Sequence, residues 1–128
     1  VHALTDVTGF GLLVHLNEML DEKNSAVIYK DSIPYFDDCQ KYVEEFYLSG
    51  AAQTNRNSVE GNISFDCDFF TEEILFDPQT SGGLLASVSK ADLEMLEKDF
   101  KENNFELYVV GEVIEKNEYN VYVRGRKI

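Results

Sequence analysis

At 128 residues, 44% of them hydrophobic, the chain can fill one core of ordinary size and is too short for two, so a single domain spanning 1–128 is expected. Asp and Glu total 24 against 11 Lys and Arg, and the formal net charge of -13 opposes both a nucleic-acid backbone and a bare triphosphate. DNA or RNA binding is therefore not expected, and any phosphate chemistry would need a divalent cation. No apolar run approaches the roughly 20 residues that cross a bilayer, and Cys39 and Cys67 lie outside any motif spacing; a cytoplasmic protein with two reduced thiols is expected.

The chain opens on Val1 and enters VHALTDVTGFG without a charged leader or signal stretch, which reads as part of something longer. From Thr8, the residues Leu12, Leu13, Leu16, Met19 and Leu20 recur at steps of three and four and predict a helix to about Asp21. SAVIYK then reads as a short β-branched strand, closed by Pro34. Phe36, Cys39, Val43, Phe46 and Tyr47 predict a second helix from about Tyr35 to Leu48, ending before Gly50. GAAQTNRNSVEGN, from Gly50 to about Asn62, has neither period and reads as a long loop, either functional or a surface connection.

The apolar run EEILF leads into DPQTSGG, a turn before the strand LLASV, expected to be buried. Ser89 opens SKAD, a capping box for a third helix that carries Leu93, Leu96 and Phe100 on one face. Glu106–Ile114 and Tyr119–Val123 are β-rich runs separated by EKNE and suited to a closing hairpin. The order predicts an α+β fold, with helices layered on a mixed or antiparallel sheet.

Two segments carry chemistry. In LTDVTGFG, Asp6 precedes Thr8 and two glycines, Gly9 and Gly11, at a helix start, where glycine costs about 1 kcal/mol against alanine. Absence of a Cβ lets a phosphate or a neighbouring segment reach the first-turn N–H groups, and Asp6 can give an oxygen to Mg²⁺. Equally, Asp6 or Thr8 can cap the helix while the glycines serve packing. DPQTSGG gathers Asp77, Gln79, Thr80, Ser81, Gly82 and Gly83, fit to present donors to an anion, to tie another loop in place or simply to turn the chain.

TDVTGFGLL from Thr5 to Leu13 and DPQTSGG from Asp77 to Gly83 together resemble the selenide, water dikinase family, whose C-terminal domain carries both in this order. Arg56-Asn57 matches an Arg-Asn pair of that family, and Val110 to Glu112 matches its Val-Gly-Glu. One departure is Val14, in LLVHL, where the family usually has glycine; it puts close packing at that position in question.

The resemblance implies the C-terminal domain fold of the aminoimidazole ribonucleotide synthetase-like superfamily, an α/β layered unit that is partly ferredoxin-like. It further implies an enzyme making selenophosphate, AMP and orthophosphate from ATP, selenide and water, homodimeric at full length, with Mg²⁺ as cofactor. By the same resemblance, Asp6 is the metal-holding position, and Thr8, Gly9, Gly11, Thr80 and Ser81 are weaker candidates for shaping the phosphate end. The family's reactive cysteine or selenocysteine, its lysine and its glycine-rich nucleotide segment belong to an N-terminal domain and have no match in this chain. Neither Cys39 nor Cys67 takes a catalytic role on this reading, and His15 is structural. The alternatives are another enzyme of the superfamily, or a non-catalytic acidic module that recruits proteins.

Overall fold

A computed structural model describes residues 1–45, 50–79 and 82–125. In chain order the elements are β1 (Ala3–Asp6), α1 (Gly11–Met19), β2 (Asn24–Tyr29), a 3-10 turn (Lys30–Ser32), α2 (Cys39–Glu44), α3 (Gly50–Ser58) and β3 (Ile63–Phe65). They continue with α4 (Phe69–Phe76), β4 (Leu84–Ser87), α5 (Lys90–Glu102), β5 (Gly111–Glu115) and β6 (Val121–Arg124). The expected α+β class, with helices on a mixed sheet, is what the chain adopts.

The main sheet has four strands in the order β3-β6-β2-β5, with β5 antiparallel to β2 and the other pairs parallel. Val121 and Val123 of β6 and Ala26 and Ile28 of β2 turn one face into the core, where α1 supplies Leu13, Val14 and Leu16, α3 supplies Ala52, and α4 supplies Leu75 and Phe76. Val14 is thus a packed core residue, which answers the question raised by its replacement of glycine. The smaller sheet is a two-stranded antiparallel ribbon of β1 and β4, with Asp6 opposite Leu84 and Ala3 opposite Ser87.

Several sequence expectations are corrected. The last two strands do not form a hairpin: β5 and β6 lie on either side of β2, and the segment joining them crosses its start. Ser25, fully buried, fixes that crossing by donating to the Tyr119 carbonyl at 2.7 Å and accepting from the Asn117 N–H at 3.1 Å. Four-residue EKNE looked like a hairpin turn because nothing local shows that another strand must pass between its ends. Residues 50–58 are a helix and not a loop. Its buried positions are Ala52 and Asn55, so hydropathy shows no apolar stripe.

The strand at LLASV forms, but it is no core strand; Leu84 is 74% exposed, because β4 pairs with β1 outside the main sheet. The helix after Ser89 also forms, without a side-chain capping hydrogen bond from Ser89; Asp92 N–H bonds to the Ser89 carbonyl instead. EEILF proves to be the body of α4, whose start is capped by Asp68 accepting from the Thr71 N–H at 2.9 Å. The predicted second helix is seen as α2, while its Phe46 and Tyr47 lie outside the described residues.

Candidate functional site

The two motif segments, about 70 residues apart in sequence, are clasped together in space. Pairing of β1 with β4 brings Asp6 opposite Leu84. Beyond it, the Val7 N–H donates to the Gly83 carbonyl at 2.9 Å, and the Val7 carbonyl accepts from Gly82 at 3.1 Å. The Thr8 carbonyl accepts from Gln79 N–H at 3.0 Å and, closing a turn, from Gly11 N–H at 3.0 Å. A Cβ on Gly82 would stand 2.4 Å from the Val7 carbonyl oxygen, so the clasp closes only around glycine. Of the readings open for DPQTSGG, tying another loop in place is the one its described residues fulfil; Thr80 and Ser81 lie outside the described residues.

Asp6 is exposed at the end of β1, Val7 after it is buried, and Thr8, where the chain leaves the strand for the turn, is half-buried. Neither caps α1, whose N-cap is Phe10 without a side-chain hydrogen bond. The two glycines of the segment part company. Gly11 has φ +79, and a Cβ there would meet the Phe76 carbonyl carbon and oxygen at 2.9 Å; its missing side chain serves the approach of α4. Gly9 is exposed, with nothing among the described residues within 4 Å of its Cβ position, so it alone of the pair leaves room for a ligand.

Beneath this surface lies a brace that the sequence did not reveal. Asn55, 4% exposed, donates through Nδ2 to the Gly9 carbonyl at 3.0 Å and the Phe76 carbonyl at 2.9 Å, joining α3 to the first motif segment and to the end of α4, one residue before the second. Its neighbour Arg56 donates to Glu72 at 2.9 Å and to Glu73 at 2.5 Å, and its guanidinium lies 5.2 Å over the Phe76 ring. Arg56 also borders a cleft of about 270 Å³ with Glu60, Phe65 and Phe76. With both carboxylates already on it, that arginine is a structural cation and no anion receptor. Asn57, the other half of the Arg-Asn pair, accepts from Gln53 on its own helix at 2.9 Å.

Asp77 ends α4 and accepts from Gln79 Nε2 at 2.6 Å. Burial pushes its carboxyl above the ordinary value, the Gln79 bond opposes this, and nearby Glu73 adds to it. Burial, helped by Glu72 and Asp68, raises the Cys67 thiol to about 11, which leaves it inert as a nucleophile at neutral pH. His15 is buried on α1, its Nε2 2.8 Å from the Thr8 hydroxyl. Among the described residues no three His, Cys, Asp or Glu side chains converge on a common point. The described residues therefore form no closed metal site. One exposed carboxylate, that of Asp6, does fit a share in an Mg²⁺ site, since that ion takes one or two carboxylates with waters and phosphates.

Residues 1–124 match the family model described as AIR synthase related protein, C-terminal domain. Similar curated proteins include the selenide, water dikinase of Agathobacter rectalis, 40% identical over 125 residues, covering 96% of this chain and 36% of that protein. Those of Desulfitobacterium hafniense, 37% identical over 122 residues, and Haemophilus influenzae, 38% identical over 127, cover 94% and 96% of this chain. The chain spans 36% of the first of these two proteins and 35% of the second, about a third of their length. Both motif segments fall inside the matched region, and the clasp between them is the structural counterpart of their joint occurrence. The chain belongs to the AIR synthase related protein, C-terminal domain family.

Proposed function

We propose that residues 1–128 are the C-terminal domain of a selenide, water dikinase, a larger cytoplasmic and homodimeric ATP-using enzyme whose N-terminal domain supplies the nucleotide fold and the reactive Cys or selenocysteine. The full enzyme would convert ATP, selenide and water to selenophosphate, AMP and orthophosphate. Similarity to named selenide, water dikinases over nearly the whole chain supports this reading. The observation that carries the site is the exposure of Asp6 on the clasp between the two motif segments.

In this reading Asp6 holds one side of an Mg²⁺ ion at the triphosphate, and Gly9 leaves room for a phosphate to approach. Bound there, the ion would offset the repulsion between this acidic domain and the nucleotide and stabilise charge developing in phosphoryl transfer. The protein's own part is positioning: the backbone bonds of Val7 and Thr8 fix Asp6 at the rim, and Asn55 holds Gly9 from below. In the full-length enzyme, Asp6→Asn is expected to collapse ATP turnover while circular dichroism and melting stay those of the parent. Normal turnover in that variant would refute the role. The 128-residue chain alone is expected to show no selenide-dependent ATP hydrolysis. Turnover with a purine precursor in place of selenide would assign the enzyme to another branch of the superfamily.

A further inference from the structure

The Thr8 hydroxyl is held from inside the domain. Its Oγ1 lies 2.8 Å from Nε2 of His15, whose side chain is 9% exposed. Nδ1, the other ring nitrogen, has no hydrogen-bond partner among the described residues, but the Glu18 carboxylate stands 3.4 Å from it, one turn further along α1. The Phe10 ring, its centroid 5.7 Å away, lies tilted against the imidazole.

A hydroxyl has one proton and two lone pairs, so the state of the imidazole decides what Thr8 offers outward. With the ring proton on Nε2, the imidazole donates to Thr8, and Nδ1 becomes a buried lone pair facing a carboxylate. That arrangement sets a lone pair against a carboxylate 3.4 Å away, two acceptors facing each other. With the ring proton on Nδ1, the N–H faces the Glu18 carboxylate, and Nε2 accepts the proton of Thr8. A carboxylate beside one nitrogen is a common means of setting the tautomer at the other.

We propose that His15 is a positioning residue: protonated on Nδ1 toward Glu18, it takes the Thr8 proton on Nε2 and leaves Thr8, two residues after Asp6, an acceptor-only hydroxyl, suited to a metal-bound water and not to a phosphate oxygen. This deepens, and rests on, the metal reading of Asp6. Phosphate oxygens offer only lone pairs and would repel such a hydroxyl, whereas water on a divalent cation carries protons that it can accept. Thr8 then belongs to the outer sphere of the cation that Asp6 would ligate, a different place from the phosphate end expected from sequence.

The test has two arms. In the full-length protein labelled with ¹⁵N-histidine, with the His15 signals assigned as those lost in His15→Gln, two-bond ¹⁵N–¹H correlation is expected to show His15 protonated at Nδ1 and bare at Nε2. In the full-length protein, Mn²⁺ affinity in the presence of a non-hydrolysable ATP analogue, read by water-proton relaxation, is expected to fall about tenfold in Thr8→Val and stay near the parent's in Thr8→Ser. His15→Leu should match Thr8→Val, and His15→Gln, which keeps an acceptor, should recover part of the loss; if His15→Leu fails to fold, the Thr8 pair and the tautomer still decide. A proton on Nε2 overturns the proposal. Undiminished Mn²⁺ affinity in Thr8→Val, with a loss in Asp6→Asn, also overturns it and leaves the metal reading standing. If Asp6→Asn binds Mn²⁺ as the parent does, both fall.

Discussion

Removing the Asn55 side-chain amide tests whether the candidate site is held from below. Its Nδ2 serves the Gly9 carbonyl at 3.0 Å and the Phe76 carbonyl at 2.9 Å, so Asn55→Ala leaves two acceptors without their donor. A buried acceptor left unpaired costs about 1–3 kcal/mol. Phe76 is almost fully buried and belongs near the top of that range; Gly9 is exposed and water can replace the lost donor, which puts it at the bottom. The expected sum is about 4 kcal/mol, equivalent to a melting temperature lower by about 15 °C for a domain of this size. Asn55→Asp keeps the shape but points a carboxylate at two carbonyl oxygens, and at pH 7 it is expected to cost more than alanine. Lowering the pH protonates that carboxyl, returns one donor and should narrow the gap. Urea denaturation followed by fluorescence and circular dichroism measures both. Losses below about 1 kcal/mol in both variants, or an aspartate variant more stable than the alanine one at pH 7, would refute the brace.

Arg56→Ala strips the cation from Glu73, whose side chain is 7% exposed, and is expected to destabilise by about 3 kcal/mol, the low end for a broken buried pair because Arg56 itself is partly exposed. Adding Glu73→Gln should recover most of this in the same denaturation assay; a double variant no more stable than the single would show that Glu73 does not need its charge matched. Gly82→Ala forces a Cβ toward the Val7 carbonyl oxygen, 2.4 Å away, and should cost about 2 kcal/mol or more. Gly9→Ala meets nothing and should melt like the parent, so a fall in nucleotide affinity there, measured by calorimetry on the full-length protein, reports ligand approach and not folding. Hydrogen bonding from Thr71, side chain first and then backbone, holds Asp68 below the ordinary carboxylate value. Its contribution is present above the unfolded pKa and lost as pH falls through the lowered folded one. Asp68→Ala should cost about 1 kcal/mol at pH 7 and lose that deficit in strong acid, as melting at the two pH values will show.

Elements with their own periodicity were legible from sequence. The apolar positions of α1 and the β-branched run of β2 announce themselves because their burial is apolar. Helix α3 was missed because the face it buries presents Asn55, and its stabilising partners, the carbonyls of residues 9 and 76, are distant in sequence. Strand order was missed for a related reason. The segment by which β5 and β6 straddle β2 is anchored on Ser25, 92 residues from Asn117, and no local rule for turns contains that information. At the candidate site, Asp6 is proposed from the company it keeps in the motif, while the His15 contact to Thr8, seven residues apart, depends on the turn at Thr8–Gly11, which no periodicity announces.

The clasp explains why two stretches so far apart occur together, and it also divides their residues by duty. Gly11 and Gly82 make room for protein backbone, from Phe76 and Val7, so this fold of the chain needs them whatever it binds. Asp6 and Gly9 face outward and satisfy no such requirement. A motif match weighs all four alike, although loss of activity in Gly11 or Gly82 variants would say only that the fold had failed. The substitutions able to separate chemistry from architecture are therefore those at Asp6 and Gly9, where the side chain, or its absence, has no structural partner that accounts for it.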